Sequence, residues 1–275
     1  MPYALDDNQI EVDGVHLECR WIGPAPDVAP TIVMLHEGLG CVALWRDFPD
    51  RLAAATGCGV FVYSRQGYGR SDPIGLPQPV SYMHDHAKNV LPRLLSAIGF
   101  ERGILLGHSD GASIATTYAG SIEDHRVRGL ALYAPHFFVE DISVESIDKA
   151  KRDYEEGGLK DRLARYHGSN VDGAFYGWNR PWLDPEFRRW ELGDCIAHIR
   201  VPMLIVQGAD DEYGTAAQIS YAETEAYSPV DSVLLADCGH APQLNQPDRT
   251  LKETASFVER LMVTHAEAAP LTVNL

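Results

Sequence analysis

Residues 103–120 read GILLGHSDGASIATTYAG: an apolar run, then the pentapeptide GHSDG, then a run of small residues with helical character. A G-x-S-x-G pentapeptide between a strand and a helix is the pattern of a nucleophile elbow. Gly107 and Gly111 permit a cramped turn that a Cβ would obstruct, and such a turn points the central side chain into a cleft. The pattern therefore predicts that Ser109 is a nucleophile.

Short apolar or β-branched runs alternate with longer helical patterns on both sides of this elbow. Such alternation indicates βαβ units, and so predicts an α/β fold with a mostly parallel sheet flanked by helices. Asp13-Gly14, between two alternating runs, predicts an additional β-hairpin near the start of the chain. The predicted strands of the βαβ units lie at residues 31–36, 59–65, 104–109, 130–135, 201–208 and 232–237.

The alternation stops over residues 136–198, which we interpret as a helical cap inserted into a core domain made of residues 1–135 and 199–275. Ligands of parallel sheets bind beyond the carboxyl ends of the strands, so such a cap would cover the ligand site. Phe137, Trp178 and Trp182 are the aromatic residues that we expect to contact the substrate. The alternative for each of them is a place in the cap's own core.

A serine hydroxyl is a weak nucleophile and needs a base, which here must be one of eleven histidines. His240 lies in ADCGHAPQLNQPD, directly after the last predicted strand and before the last predicted helix. That loop is at the carboxyl edge of the sheet, so His240 is the best candidate. An acidic partner should follow the preceding strand, where VQGADDEYG offers Asp210 and Asp211.

With these motifs, the chain resembles the α/β-hydrolase superfamily from about Gly14 to the last predicted helix. The segments that carry the resemblance are HEGLG at 36–40, SRQGYGRS at 64–71, GHSDG at 107–111, GADD at 208–211 and Gly239-His240. The order Ser, Asp, His is that of this superfamily. The resemblance also favours Asp211 over Asp210, because the acid usually stands three residues beyond the glycine that is here Gly208.

The resemblance further implies the backbone donors of an oxyanion hole. Relatives commonly carry His-Gly where this chain has His36-Glu37, and the amide two positions after that histidine usually donates. This alignment predicts Gly38 and Asp110 as the two donors, and an alignment shifted by one residue would replace Gly38 by Leu39.

Glu37 is unexpected beside an oxyanion hole, because a carboxylate opposes the charge that the hole stabilises. One interpretation is that its side chain turns away and pairs with a cation such as Arg65 or Arg70. The other is that Glu37 lies in the substrate pocket, either protonated or bound to a polar group of the substrate.

The composition limits the partners. A net charge of −16 and a pI near 5.0 disfavour nucleic acid and anionic membranes, so we expect a small, neutral acyl substrate. The five cysteines are scattered without a C-x-x-C pair, and the first ten residues lack the pattern of a secretory signal. We therefore expect a cytoplasmic protein with no metal and no cofactor. Homo-oligomerisation stays open.

The predicted function is hydrolysis of a small ester or thioester by a serine hydrolase. Carbon–carbon hydrolases and lactonases share the same triad and remain alternatives, as does a ligand-binding sensor that retains the hydrolase fold. Haloalkane dehalogenases and epoxide hydrolases of this superfamily carry an aspartate at the centre of the elbow. Ser109 occupies that position here, which argues against both activities.

Overall fold

A computed structural model of the chain describes residues 8–263, which form one eight-stranded sheet with helices on both faces. The strands are β1 Gln9–Val12, β2 Val15–Ile22, β3 Thr31–Leu35, β4 Gly59–Tyr63, β5 Gly103–His108, β6 Val127–Tyr133, β7 Met203–Gly208 and β8 Val230–Leu235. Their order in the sheet is β1-β2-β4-β3-β5-β6-β7-β8, and all neighbours from β4 to β8 in this order are parallel. The predicted fold class is therefore confirmed.

The predicted β-hairpin is also present, at one edge of the sheet. β1 and β2 pair antiparallel through a two-residue turn, in which Asp13 and Gly14 have φ values of 53° and 78°. Positive φ at both positions matches the twist of the strands, and Asp-Gly tolerates it. β2 also pairs antiparallel with β4, which joins the hairpin to the parallel strands.

The helices cover both faces of the sheet because successive strand residues point to opposite sides. In β3, Ile32 and Met34 belong to the core beneath the helices at residues 48–56 and 247–263. Val33 and Leu35 belong to the core on the other face, beneath the helices at residues 91–97 and 110–121. The helices are α1 Phe48–Thr56, α2 Tyr82–Asp85, α3 Leu91–Ala97, α4 Asp110–Ser121, α5 Asp141–Glu156, α6 Leu159–His167, α7 Val171–Leu183, α8 Gly193–His198, α9 Ala217–Glu225, α10 Pro242–Asn245 and α11 Pro247–Val263.

Helices α5 to α8 lie between β6 and β7, in the segment interpreted as a cap. The last of them, α8, packs on α4 of the core so tightly that a Cβ at Gly120 would lie 2.2 Å from the carbonyl oxygen of Cys195. The segment interpreted as a cap, which ends at residue 198, thus includes one helix, α8, that packs against the core domain. Among residues 8–263, no helix combines the length and apolarity needed to cross a membrane.

Candidate active site

The turn between β5 and α4 places Ser109 at a sharp reversal of the chain. Ser109 adopts φ 52° and ψ −118°, a strained conformation for a residue with a side chain. A Cβ at Gly107 would lie 2.3 Å from the carbonyl oxygen of Gly111, and one at Gly111 would lie 2.1 Å from that of Leu35. Both glycines are required because backbone fills the space where their side chains would be.

The structure brings together the three side chains predicted to act as a triad. His240 Nε2 lies 2.9 Å from Ser109 Oγ, and His240 Nδ1 lies 2.8 Å and 3.0 Å from the two carboxylate oxygens of Asp211. A carboxylate can only accept here, so Nδ1 carries the proton and Nε2 is left to accept from the serine hydroxyl. The arrangement suits proton transfer from Ser109 to His240.

Asp211 is fixed by neighbours besides His240. The amides of Tyr213 and Gly214 donate to Oδ1 at 2.8 Å and 3.3 Å, and Gln207 Nε2 donates to Oδ2 at 2.8 Å. Burial opposes ionisation of this carboxyl, but the hydrogen bond and charge of His240 and the amide of Tyr213 outweigh it, so the pKa of Asp211 is lowered. Asp211 is therefore a carboxylate near neutral pH.

Asp210, the other candidate acid, is placed differently. Its side chain is exposed, and its amide donates to the carbonyl of Cys238 at 2.9 Å. Within residues 8–263, the carboxylate of Asp210 makes no hydrogen bond to another side chain, and Asp211 alone of the two contacts His240.

Three backbone amides near Ser109 are free to act as donors. Asp110 is the first residue of α4, and its amide has no partner in the preceding turn. Within the described part of the chain, the amides of Gly38 and Leu39 also donate to no protein acceptor. The structure thus keeps both alignments of the predicted oxyanion hole available, because Gly38 and Leu39 each border the pocket beside Ser109.

A pocket of about 300 Å³ opens over Ser109. Its apolar lining comes largely from α5 and α7 of the inserted segment: Leu39, Ile147, Trp178 and Trp182. Its lining also includes residues with polar groups that lie near His240: Glu212, Tyr213 and Asn245. The indole of Trp178 lies so close to Gly38 that a Cβ there would stand 2.2 Å from the ring.

The sequence profile of the alpha/beta hydrolase family matches residues 32–253. The chain belongs to this family. Over 144 residues it is 26% identical to a protein named epoxide hydrolase 2 from Siraitia grosvenorii, a match that covers 52% of this chain and 43% of that relative. The matched segment thus spans less than half of the relative's length.

Solved structures of hydrolases are similar in fold. An esterase from Exiguobacterium antarcticum has a TM-score of 0.73 at 19% identity, over 92% of this chain and 99% of that one. An enol-lactonase from Burkholderia xenovorans has a TM-score of 0.70 at 21% identity, over 90% of this chain and 98% of that one. At these identities, the similarity establishes only the fold that this chain shares with them.

Phe137 lies outside the pocket, which corrects the expectation that it contacts the substrate. Its ring is fully buried in the hydrophobic core. Its amide donates to Gln218 Oε1 at 2.7 Å, and its carbonyl accepts from Leu192 at 2.7 Å. The preceding residue, His136, borders the pocket instead.

The carboxylate of Glu37 pairs with neither of the two arginines considered from the sequence. Arg65 donates to the backbone carbonyls of His36 and Glu37, which fixes the loop that precedes the free amides. The Glu37 carboxylate instead faces His108, with Oε2 at 3.4 Å from Nδ1, and borders the pocket. The partner of Glu37 is therefore His108, the second residue of GHSDG. The sequence motif did not indicate this contact.

The side chain of Asp110 connects the elbow to the inserted helices. It is fully buried, and it accepts hydrogen bonds from Tyr82 Oη and from Trp182 Nε1, the latter at 3.1 Å. Burial raises the pKa of Asp110 above its usual value. Trp182 is therefore held in place by the residue whose amide is a predicted oxyanion donor.

His136 is a buried neighbour of the triad that sequence reasoning assigned no role. Its ring centroid lies 5.6 Å from that of His240 and 5.0 Å from that of Trp182. Burial, together with the nearby His240, lowers the pKa of His136 to about 3, so the ring is neutral. Residues 8–263 contain no group of three His, Cys, Asp or Glu side chains arranged to hold a metal ion.

Proposed function

We propose that this hydrolase cleaves a small ester or thioester through an acyl-enzyme on Ser109. The observation that carries the proposal is the hydrogen-bonded chain from Ser109 Oγ through His240 to Asp211, at the floor of a pocket of about 300 Å³. Nucleophile, base and orienting carboxylate stand in the order and at the distances that acyl transfer requires.

The reaction proceeds in two steps. His240 Nε2 takes the proton of Ser109 as Oγ attacks the acyl carbon, and the free amide of Asp110, with that of Gly38 or Leu39, donates to the developing oxyanion. His240 then returns the proton to the leaving group. Water attacks the acyl-enzyme by the same route, and the carboxylate of Asp211 stabilises the imidazolium in both steps.

The lining of the pocket suits the two parts of an ester. The leaving group must reach His240 to be protonated, and polar groups of Glu212, Tyr213 and Asn245 lie near that histidine. The acyl group is left with the apolar lining, which includes Trp178 and Trp182.

Charge favours an uncharged leaving group. No Lys or Arg borders this pocket among the residues that the structure describes, and the chain carries a net charge of −16. A polyanionic carrier such as coenzyme A is therefore a poorer fit than a neutral alcohol or thiol.

Ser109 also argues against epoxide hydrolysis, the activity in the name of the Siraitia grosvenorii relative. Attack of a serine oxygen on an epoxide carbon would form an ether. An ether has no carbonyl for water to attack, so the enzyme could not be regenerated by the triad.

Two measurements on the purified protein test the proposal. We expect a fluorophosphonate probe to label Ser109, and short p-nitrophenyl esters to be hydrolysed much faster than acyl-CoA thioesters of the same acyl length. Lactones in the same screen would show whether cyclic esters are also substrates. Tight binding of a ligand without labelling or turnover would contradict the proposal and would favour a ligand-binding sensor.

Replacing Trp178 by Ala should change acyl-chain selectivity. The indole forms part of the apolar lining of the pocket, and its removal deletes contact area for the acyl group while enlarging the space beside Gly38. We expect the ratio of kcat/KM between short and longer p-nitrophenyl esters to shift by roughly 10-fold, or about 1.4 kcal/mol. Steady-state kinetics across the ester series measures this ratio.

Tyr176 provides a matched control on the same helix. It is an aromatic residue of α7 that is half-buried and does not border the pocket. Tyr176→Ala should leave the acyl-length ratio within about 2-fold of that of the wild type, whatever it does to thermal stability. Equal shifts in both variants would show that α7 acts through its packing and not through contact with the acyl group.

A further inference from the structure

His108 connects the two loops that surround Ser109. Its Nε2 lies 2.7 Å from the carbonyl oxygen of His240, and its Nδ1 faces the carboxylate of Glu37 at 3.4 Å. Glu37 immediately precedes the oxyanion-hole amides, and its carboxylate fills the space beside Gly40, where a Cβ would lie 2.3 Å from Oε2. We call residues 36–40 the oxyanion loop and residues 236–241 the His240 loop. The buried ring of His108 thus contacts the oxyanion loop on one side and the His240 loop on the other.

The surroundings of His108 are compatible with a ring that carries a hydrogen on both nitrogens. The carbonyl of His240 can only accept, so Nε2 carries a hydrogen. Nδ1 lies 3.0 Å from the Gln243 side-chain amide, whose Oε1 is buried without a partner among residues 8–263. A half-turn of that amide brings Oε1 to Nδ1, where it would accept a hydrogen bond from a doubly protonated ring.

The charges around the pair agree with an imidazolium facing a carboxylate. Burial alone would lower the pKa of His108, but Glu37 and the carbonyl of His240, with Asp211 beyond, raise it. Burial would raise the pKa of Glu37, but His108 and then Arg65 lower it. Each shift is in the direction that favours the charged form of the group, as expected for a histidine that faces a carboxylate.

We propose that the buried His108 and the partly buried Glu37 form an ion pair that holds the oxyanion loop and the His240 loop together and cancels the carboxylate charge beside the oxyanion. Both residues act through their neighbours and are positioning residues. The kinetic test of this inference rests on the proposed function, because it requires an enzyme that turns over an ester. The charge cancellation matters because an uncompensated carboxylate there would oppose the negative charge that develops on the oxyanion.

The pair makes a specific prediction for a double-mutant cycle. His108→Gln keeps a donor for the His240 carbonyl but leaves Glu37 as an uncompensated carboxylate next to the hole, so we expect kcat to fall roughly 100-fold. Glu37→Gln removes the negative charge and lets His108 become neutral, with an expected loss of only about 5-fold. In the double variant the carboxylate is absent, so kcat should recover to at least about 10-fold above that of His108→Gln.

Thermal unfolding and fluorophosphonate titration of each variant give the folded, active fraction to which kcat is normalised. Recovery in the double variant supports the pair, because loss of two merely structural contacts would be additive or worse. A double variant as slow as His108→Gln, or slower, overturns the inference.

A readout independent of turnover separates this inference from the proposed function. NMR titration of the histidine side chains should show a raised pKa for His108 in the wild-type protein and a lower one in Glu37→Gln. If the wild-type protein hydrolyses no ester, the proposed function fails, and this titration still decides the pair. A His108 that is neutral at pH 6 in the wild-type protein overturns the inference.

Discussion

Ser109→Ala should lower kcat for ester hydrolysis by roughly 10³-fold or more while the protein remains folded. The substitution removes only Oγ, which lies 2.9 Å from His240 Nε2 and has no other partner in the described part of the chain. The backbone at residue 109 keeps its φ of 52°, since alanine and serine meet the same steric limits there. His240→Ala should cost about as much, because the members of a triad act as a unit.

Kinetics with a p-nitrophenyl ester, together with thermal unfolding, measures both effects. Ser121→Ala is a matched control, since Ser121 ends the same helix and is exposed to solvent. This control should retain wild-type kcat, and of the two serine variants only Ser109→Ala should lose fluorophosphonate labelling. Near-normal hydrolysis by Ser109→Ala would show that the nucleophile lies elsewhere.

The elbow, the triad candidates and the fold class were predictable from the sequence because each depends on local pattern. GHSDG requires two glycines at fixed spacing around Ser109, and the structure shows backbone atoms in the space of both missing side chains. Asp211 and His240 each follow a strand of a parallel sheet, and such strands end at the same edge. Local sequence patterns therefore suffice to predict that these residues, which are distant in the chain, meet at one edge of the sheet.

Contacts between loops were not predictable, because no local rule determines them. His108 meets Glu37 and Gln243, which come from different parts of the chain, and only the folded arrangement brings them together. The same holds for Phe137. Its aromatic character indicated a pocket or a core, and the direction of its side chain, which the sequence does not determine, selects the core.

Asp211→Asn should be about as damaging as loss of the nucleophile, with kcat lowered by roughly 10³-fold or more. The amide of the new side chain cannot satisfy all the neighbours of the carboxylate. If its oxygen accepts from the amide of Tyr213, its NH2 group faces Gln207 Nε2, a donor, and lies next to His240 Nδ1. An NH2 group beside Nδ1 favours the tautomer with hydrogen on Nε2, which cannot accept the proton of Ser109.

Asp210→Asn provides the control, because the two substitutions are chemically identical and adjacent in sequence. Asp210 is exposed and its carboxylate does not contact His240, so kcat should stay within about 2-fold of that of the wild type. Asp211→Asn should also lower the free energy of unfolding by about 1–3 kcal/mol, since a buried donor loses its acceptor. Kinetics and denaturant unfolding of both variants measure these differences. The reverse ranking of the two kcat values would transfer the role of the triad acid to Asp210.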